Sequence, residues 1–240
     1  MTPEERYRFD IQGFLVRRGV LSTGDLEALN VAVDLLGVPE PGDDIMSQRF
    51  GNHLTSARRF RDLLDHEGIF DIIVELCGRN VRLDHAYGII MRPGTNGLGL
   101  HGGGTPFDPA QYYTVDNGNI RNGLVAVQWA LVDHIPGRGG FLCVPGSHKA
   151  NFPTPTRVDP GVATEVPMLA GDVVVFTEAL THGTAAWQGQ QQRRTLLFKY
   201  SPGNSAWSHE SWPRELVEAC TPRQQLLLQP PSVGNHRPVQ

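Results

Sequence analysis

Beyond residue 80 the chain breaks into short strand-like runs separated by clusters of glycine and proline, and this pattern limits the folds it can adopt. The runs are rich in valine, isoleucine, leucine or aromatic residues and lie at 80–91, 124–132, 141–144, 172–176 and 195–200. The sequences between them include RPGTNG, HGGGTP, DNGN, IPGRGG and SPGN, which are typical of turns. The whole chain holds 27 glycines and 18 prolines. Many short strands joined by tight turns predict an antiparallel sandwich or barrel.

The first part of the chain is expected to be mainly helical. Ser22 or Thr23 can cap a helix whose apolar residues, up to Leu36, recur with a period close to 3.6. A second helix is expected from about Asp65 to Leu76, because apolar residues repeat there on one face and Gly78 can end it. The fold class is therefore predicted to be mainly β with flanking helices.

We expect the 240 residues to form one domain. Its predicted parts are a helical region at about 1–79, a sheet core at about 80–203 and a C-terminal extension at 204–240. The charged opening sequence MTPEERYRFD lacks the apolar segment of a signal peptide. The three cysteines, Cys77, Cys143 and Cys220, form no CxxC pair and fit a reducing compartment. These features predict a cytoplasmic protein.

Charge and hydropathy exclude two classes of partner. The formal net charge is −4, and no run of lysine and arginine exceeds two residues, so nucleic acid is not expected to bind. No apolar stretch approaches the roughly 18 residues that cross a bilayer, and no membrane partner is expected. The oligomeric state cannot be derived from the sequence. The expected partner is a small-molecule substrate, for the reasons given below.

Two histidines and an arginine occur at spacings that suit a mononuclear iron site. His101 follows a strand-like run and opens the loop HGGGTP, whereas His182 ends the segment GDVVVFTEALTHG. Histidines on facing strands bind Fe(II) well, and a carboxylate commonly completes the ligand set. The co-substrate 2-oxoglutarate then needs a guanidinium for its far carboxylate. Arg193 follows His182 by eleven residues, and a hairpin of that length would return it to the site; Arg194 should face the opposite way.

These segments resemble the phytanoyl-CoA dioxygenase family of Fe(II)/2-oxoglutarate enzymes. The resemblance rests on WALVDHIPGRGGFLCVPGSHK at 129–149, AGDVVVFTEALTHG at 170–183 and RRTLLFKYSPG at 193–203, and it extends over about residues 8–203. It implies a double-stranded β-helix, the jelly roll of cupin-like proteins, and it implies Fe(II) and 2-oxoglutarate as cofactors. By the same resemblance His101 and His182 are iron ligands, and Arg193 and Thr184 bind the far carboxylate of 2-oxoglutarate. Trp129 matches a tryptophan that lines the 2-oxoglutarate pocket.

One position departs from the family pattern. The family motif is His-x-Asp, and the residue two positions after His101 is Gly103. A halide or water could take the vacant position, as the resemblance to His-x-Gly or His-x-Ala halogenases implies. Another carboxylate, Asp108 or Glu178, could replace the missing one instead. Metal binding could also be weakened, which would leave a binding protein without oxygenase activity.

Glu178 is the better of the two replacement candidates. An acidic residue directly after the apolar run VVVF is unusual unless it faces a polar or charged group. It stands four residues before His182, a separation of about 13 Å in a continuous strand, which is too far for both to bind one ion. For Glu178 to be a ligand the chain must turn between them, and residues 177–180 could supply such a turn. His85, His134 and His148 are expected to be structural.

The function expected from the sequence is that of a 2-oxoglutarate-dependent oxygenase of the hydroxylase type that acts on a small organic molecule. Two alternatives stay open, an iron halogenase that uses the vacant carboxylate position and a non-catalytic homologue that binds metal or ligand. The site residues of the prediction are His101, His182 and Arg193 for catalysis, Arg193, Thr184 and Trp129 for the co-substrate, and His101, His182 and Glu178 for the metal.

Overall fold

Two antiparallel β-sheets face each other in a computed structural model that describes residues 1–38, 47–105, 107–155, 161–208 and 211–239. The helices are α1 (Pro3–Gln12), α2 (Thr23–Leu35), α3 (His53–Ser56), α4 (Arg58–Arg61), α5 (Glu67–Cys77), α6 (Arg214–Glu218) and α7 (Pro222–Leu227). The strands are β1 (Phe14–Arg17), β2 (Ser47–Phe50), β3 (Val81–Met91), β4 (Leu98–His101), β5 (Tyr113–Asp116), β6 (Asn119–Asn122), β7 (Val125–Ala130), β8 (Gly140–Cys143), β9 (Thr164–Glu165), β10 (Val173–Thr177), β11 (His182–Ala185) and β12 (Arg193–Pro202).

The sheet order is that of a jelly roll, as predicted. The larger sheet has the order β1-β10-β7-β12-β3-β2, and the smaller sheet has the order β4-β11-β8-β9. Strands β5 and β6 form a separate ribbon. The strand pairs in the described part of the chain are antiparallel, and most neighbours in the two main sheets are not consecutive along the chain.

Strands β7 and β10, in the larger sheet, are buried on both faces, which explains why they are almost entirely apolar. Along β10, Val173 and Val175 join a core under the helices, whereas Val174 and Phe176 point the other way. The second set packs against Phe141 of the smaller sheet, with the rings of Phe141 and Phe176 4.6 Å apart. Successive side chains of a strand point to opposite faces, so one strand serves both cores. The space between the sheets is the interior of the jelly roll.

The helical N-terminal part also contributes strands to the larger sheet. The Oγ atom of Ser22 accepts a hydrogen bond from the backbone N–H of Asp25 and caps α2, as expected. Helix α5 ends at Gly78, also as expected. The expectation of a mainly helical part was incomplete, because β1 and β2 form the two edges of the larger sheet. No helix in the described ranges is long and apolar enough to span a bilayer.

Candidate metal and co-substrate site

The two predicted histidines lie opposite each other in the smaller sheet. Strands β4 and β11 pair with His101 directly across from His182, and the ring centroids are 4.4 Å apart. Nδ1 of His101 is 2.9 Å from the carbonyl oxygen of Gly99, and Nδ1 of His182 is 2.7 Å from that of Leu180. Because a carbonyl oxygen only accepts, each neutral ring carries its proton on Nδ1 and has a lone pair on Nε2. This is the tautomer of a histidine that binds a metal through Nε2.

The surroundings of His182 keep its ring neutral. The side chain is buried, with the residue 5% exposed, and its ring contacts Phe176 at 4.8 Å and Phe141 at 6.2 Å between centroids. Burial lowers the pKa of His182 to about 4, although the Glu178 carboxylate acts in the opposite direction. The Nε2 lone pair is therefore free for a metal at neutral pH.

The glycines after His101 let its loop pack closely against the segment that precedes His182. A Cβ atom at Gly102 would lie 3.0 Å from the carbonyl oxygen of Glu178 and 3.1 Å from Nδ1 of His182. Gly103 has a φ of +109°, which disfavours any residue with a side chain, and a Cβ atom there would lie 3.3 Å from Oγ1 of Thr181. A carboxylate in the family's His-x-Asp position would therefore require a different loop conformation.

Glu178 lies beside His182 because the chain turns as the sequence required. Strand β10 ends at Thr177, and the backbone N–H of Leu180 then donates to the carbonyl oxygen of Thr177 at 2.9 Å. Oε2 of Glu178 is 3.9 Å from Nε2 of His182. Asp108 has a different role, since its Oδ1 atom accepts from the backbone N–H of Ala110 and closes a turn.

Lys199, which the sequence analysis did not select, forms a buried ion pair with Glu178. Its Nζ atom donates to Oε1 of Glu178, and the two residues are 5% and 7% exposed. Burial raises the pKa of the Glu178 carboxyl, but the nearby Lys199 ammonium and the positive charge that His182 carries at low pH outweigh it, and the pKa falls to about 2. The strand pattern contained a signal for this residue, because Lys199 has the same parity along β12 as Arg193 and therefore faces the interior.

The two histidines and Glu178 lie close together, but their side chains are not arranged to bind one metal ion. Among the described residues, no three His, Cys, Asp or Glu side chains are arranged to hold one ion. The Oε2 atom of Glu178 is the oxygen that Lys199 leaves available, and it faces His182. A small side-chain movement would complete a two-histidine, one-carboxylate set; without it, the third ligand must come from outside the protein.

Arg193 is a buried cation without a carboxylate partner in the part of the chain that the structure describes. It is 1% exposed, its Nη1 atom is 3.1 Å from Sδ of Met91, and its Nε atom has no hydrogen-bond partner. Burial lowers its pKa to about 10, so the guanidinium stays charged at neutral pH. Arg194 faces outward and pairs with Asp34 at 2.6 Å. An unpaired buried guanidinium is costly, and it is expected where an anionic ligand binds.

The predictions for Trp129 and Thr184 have different outcomes. Trp129 is fully buried on the helix-covered face of the larger sheet, where its ring lies 5.4 Å from that of His66. Trp129 therefore does not line the interior of the jelly roll. Its neighbour Gln128 does face the interior, where its side chain contacts Met168. Thr184 lies two residues after His182 on β11, half-buried, at a position that alternation places on the same face as His182.

Two opposed antiparallel sheets with facing histidines and a buried arginine define a jelly-roll protein of the kind that holds a mononuclear metal. The model of the phytanoyl-CoA dioxygenase (PhyH) family matches residues 9–195, and the chain belongs to this family. The fold and family expected from the sequence are thereby confirmed.

A fungal dioxygenase and two proteins of known structure are similar to this chain in sequence or in fold. The chain is 27% identical over 192 residues to "Dioxygenase olcK" of Penicillium canescens, a match that covers 76% of this chain and 61% of the relative. The chain thus spans about three fifths of that fungal protein. HygX of Streptomyces hygroscopicus, solved with nickel and 2-oxoglutarate bound, is 28% identical with a TM-score of 0.76, covering 84% of this chain and 87% of HygX. The epimerase SnoN shares the fold, with a TM-score of 0.66 and 22% identity. This match covers 84% of the chain and 83% of SnoN.

Proposed function

We propose that this protein is an Fe(II)- and 2-oxoglutarate-dependent dioxygenase that oxidises a small organic molecule. The observation that carries the proposal is the combination of two adjacent histidines, His101 and His182, each with Nδ1 on a backbone carbonyl, with the buried guanidinium of Arg193, which has no carboxylate partner among the described residues. The first feature suits a metal and the second suits a dianionic co-substrate. Membership of the phytanoyl-CoA dioxygenase family supports this function, as does HygX, which has been solved with iron and with nickel and 2-oxoglutarate.

The residues present fit an iron ion. His101 and His182 would bind it through Nε2, and Glu178 would provide the carboxylate through Oε2. Iron and 2-oxoglutarate, when bound, supply the activation of dioxygen and the oxidation of the substrate. Neutral imidazoles and one carboxylate form the usual ligand set for this chemistry.

The rest of the site orients these groups and excludes water. The backbone carbonyls of Gly99 and Leu180 hold the two imidazoles by their Nδ1–H groups, and the phenylalanine rings around His182 shield it from solvent. Lys199 holds one oxygen of Glu178, so that the other faces His182. Arg193 would bind the far carboxylate of 2-oxoglutarate in two-pronged fashion, with Thr184 as an additional hydroxyl donor.

A halogenase is the second candidate, and a specific observation favours it. Gly103 brings no carboxylate, and the described residues do not bring Glu178 and the two histidines together as a three-ligand group, so an anion from solution would compete with Oε2 of Glu178 for the third position. Chloride would then bind next to the histidines. The two candidates differ in whether Glu178 or chloride completes the ligand set.

Anaerobic titration of the protein with Fe(II) and 2-oxoglutarate tests the proposal. We expect a weak visible charge-transfer band from the iron-bound co-substrate, followed in air by oxygen consumption with release of succinate. Absence of the band with normal folding would contradict the proposed function. A band without succinate release would indicate a binding protein. A shift of the band with chloride, but not with sulfate at equal ionic strength, would favour the halogenase.

A further inference from the structure

His134 is a buried histidine that the site described above does not use. It follows β7, is 1% exposed, and has no hydrogen-bond partner on either ring nitrogen among the described residues. Its backbone is held by two hydrogen bonds with Met168, of 2.6 and 2.9 Å. Its ring meets the ring of Trp187 edge to face at 5.9 Å. The side chain is thus rigidly placed while its polar atoms are left without partners, which costs free energy unless a ligand satisfies them.

The side chain of His134 belongs to the same buried region as Arg193. The backbone N–H of Leu131 donates to the carbonyl oxygen of Arg194, so the segment that leads to His134 runs beside the start of β12. Burial and the positive charge of Arg193 lower the pKa of His134 well below its usual value. A neutral imidazole carries one N–H donor, which an anion bound to the Arg193 guanidinium can accept.

A third polar group lies on the same strand as Arg193. Thr195 is two residues after Arg193 on β12 and therefore points to the same face, and its buried Oγ1 atom has no hydrogen-bond partner among the residues that the structure describes. Nε of Arg193, both ring nitrogens of His134 and Oγ1 of Thr195 are thus all unpaired. Water could satisfy one such group, but an anion satisfies several donors and the charge of Arg193 together.

We propose that His134 donates a hydrogen bond to the far carboxylate of 2-oxoglutarate and, with Arg193, sets the selectivity for a 2-oxo acid that carries a second carboxylate. This inference rests on the proposed function and adds a co-substrate residue to it. The sequence predicts a structural role for His134, and the proposal replaces it with a role in binding.

Binding of two ligands to the zinc-loaded protein, which cannot turn over, tests this role by calorimetry. The ligands are 2-oxoglutarate and 2-oxopentanoate, which has a methyl group in place of the far carboxylate. We expect His134→Phe to raise the Kd for 2-oxoglutarate about tenfold, or about 1.4 kcal/mol, and to leave the Kd for 2-oxopentanoate unchanged. His53→Phe is the matched control, because His53 is also 1% exposed with both ring nitrogens unpaired, but packs among phenylalanines on the helix-covered face.

The outcomes separate this inference from the function on which it rests. If Arg193→Leu weakens 2-oxoglutarate binding and His134→Phe does not, the role of His134 is wrong and the proposed function stands. Equal weakening of both ligands by His134→Phe would also reject the role. If the wild-type protein fails to bind 2-oxoglutarate, the proposed function itself fails. Should His134→Phe not fold, nitrogen NMR of the wild-type protein decides: the His134 ring signals should shift with 2-oxoglutarate and not with 2-oxopentanoate, and unchanged signals would overturn the inference.

Discussion

Replacing Glu178 by glutamine should affect the stability of the fold and the binding of metal by separate routes. Glu178 and Lys199 are both nearly inaccessible to solvent and neutralise each other. Glutamine keeps the size of the side chain but leaves the Lys199 ammonium buried without a counter-charge. Removing one partner of a buried ion pair typically costs about 3–5 kcal/mol.

The pKa of Glu178 supports the lower end of this range. Its fall from the ordinary value of 4.5 to about 2 corresponds to about 3 kcal/mol of stability. Because the folded-state pKa is depressed, this contribution is present in full above about pH 4.5 and is lost as the pH falls towards 2. At neutral pH, Glu178→Gln should therefore lower the free energy of unfolding of the metal-free protein by about 3 kcal/mol.

A double-mutant cycle separates the two roles of Glu178. Lys199→Met alone leaves the Glu178 carboxylate buried without a partner, so the metal-free protein should again lose stability and added metal should restore it. In the double variant Glu178→Gln with Lys199→Met, both charges of this pair are removed together, and stability should return close to that of the wild type. Metal affinity should nevertheless fall at least about a hundredfold, because a ligand is missing and not merely an outer-shell partner.

Urea unfolding in the presence of a chelator measures the stability of each variant, and calorimetric titration with Co(II) measures the affinity for metal. The reasoning would be refuted by a double variant that binds Co(II) as tightly as the wild type, since Glu178 would then not be a ligand. In that case, a chloride-sensitive visible spectrum of the iron complex would identify the anion as the third ligand instead.

Three further predictions concern single residues. His182→Ala should abolish binding of Fe(II), and a normal iron stoichiometry in a folded variant would disprove the site. Arg193→Leu should raise the Kd for 2-oxoglutarate by about a hundredfold, because about 3 kcal/mol of charged hydrogen bonding is lost. Arg194→Leu is the control and should leave this Kd unchanged. The reverse result would place Arg194 in the interior. Burial lowers the pKa of His53 to about 4. As the pH falls from 6.5 this histidine gains a proton in the unfolded state and not in the folded state, so the free energy of unfolding should fall by about 1.4 kcal/mol per pH unit. His53→Phe should make the free energy of unfolding depend less on pH, as measured by urea titrations at pH 7 and 5.

Local patterns were sufficient to predict much of the fold and part of the site. Strands β3, β7, β8, β10 and β12 were anticipated from apolar runs between turns, and helix α2 from its period and its cap. These features depend on neighbouring residues alone. Strands β4 and β11 were not identified as strands, because each has only four residues, one of which is a glycine. Their importance lies in the pairing of His101 with His182, which connects positions 81 residues apart.

The sequence by itself determined which residue types are available for the chemistry: two histidines, a glycine in place of the family's aspartate, and an arginine whose neighbour must face the other way. The tertiary structure decided the rest. It turned Trp129 towards the helices, paired Glu178 with Lys199, and left His134 unpaired near Arg193. The face on which a strand residue lies depends on the register and on which layer covers each side of the sheet. Both are set by contacts between distant segments, and no local pattern records them.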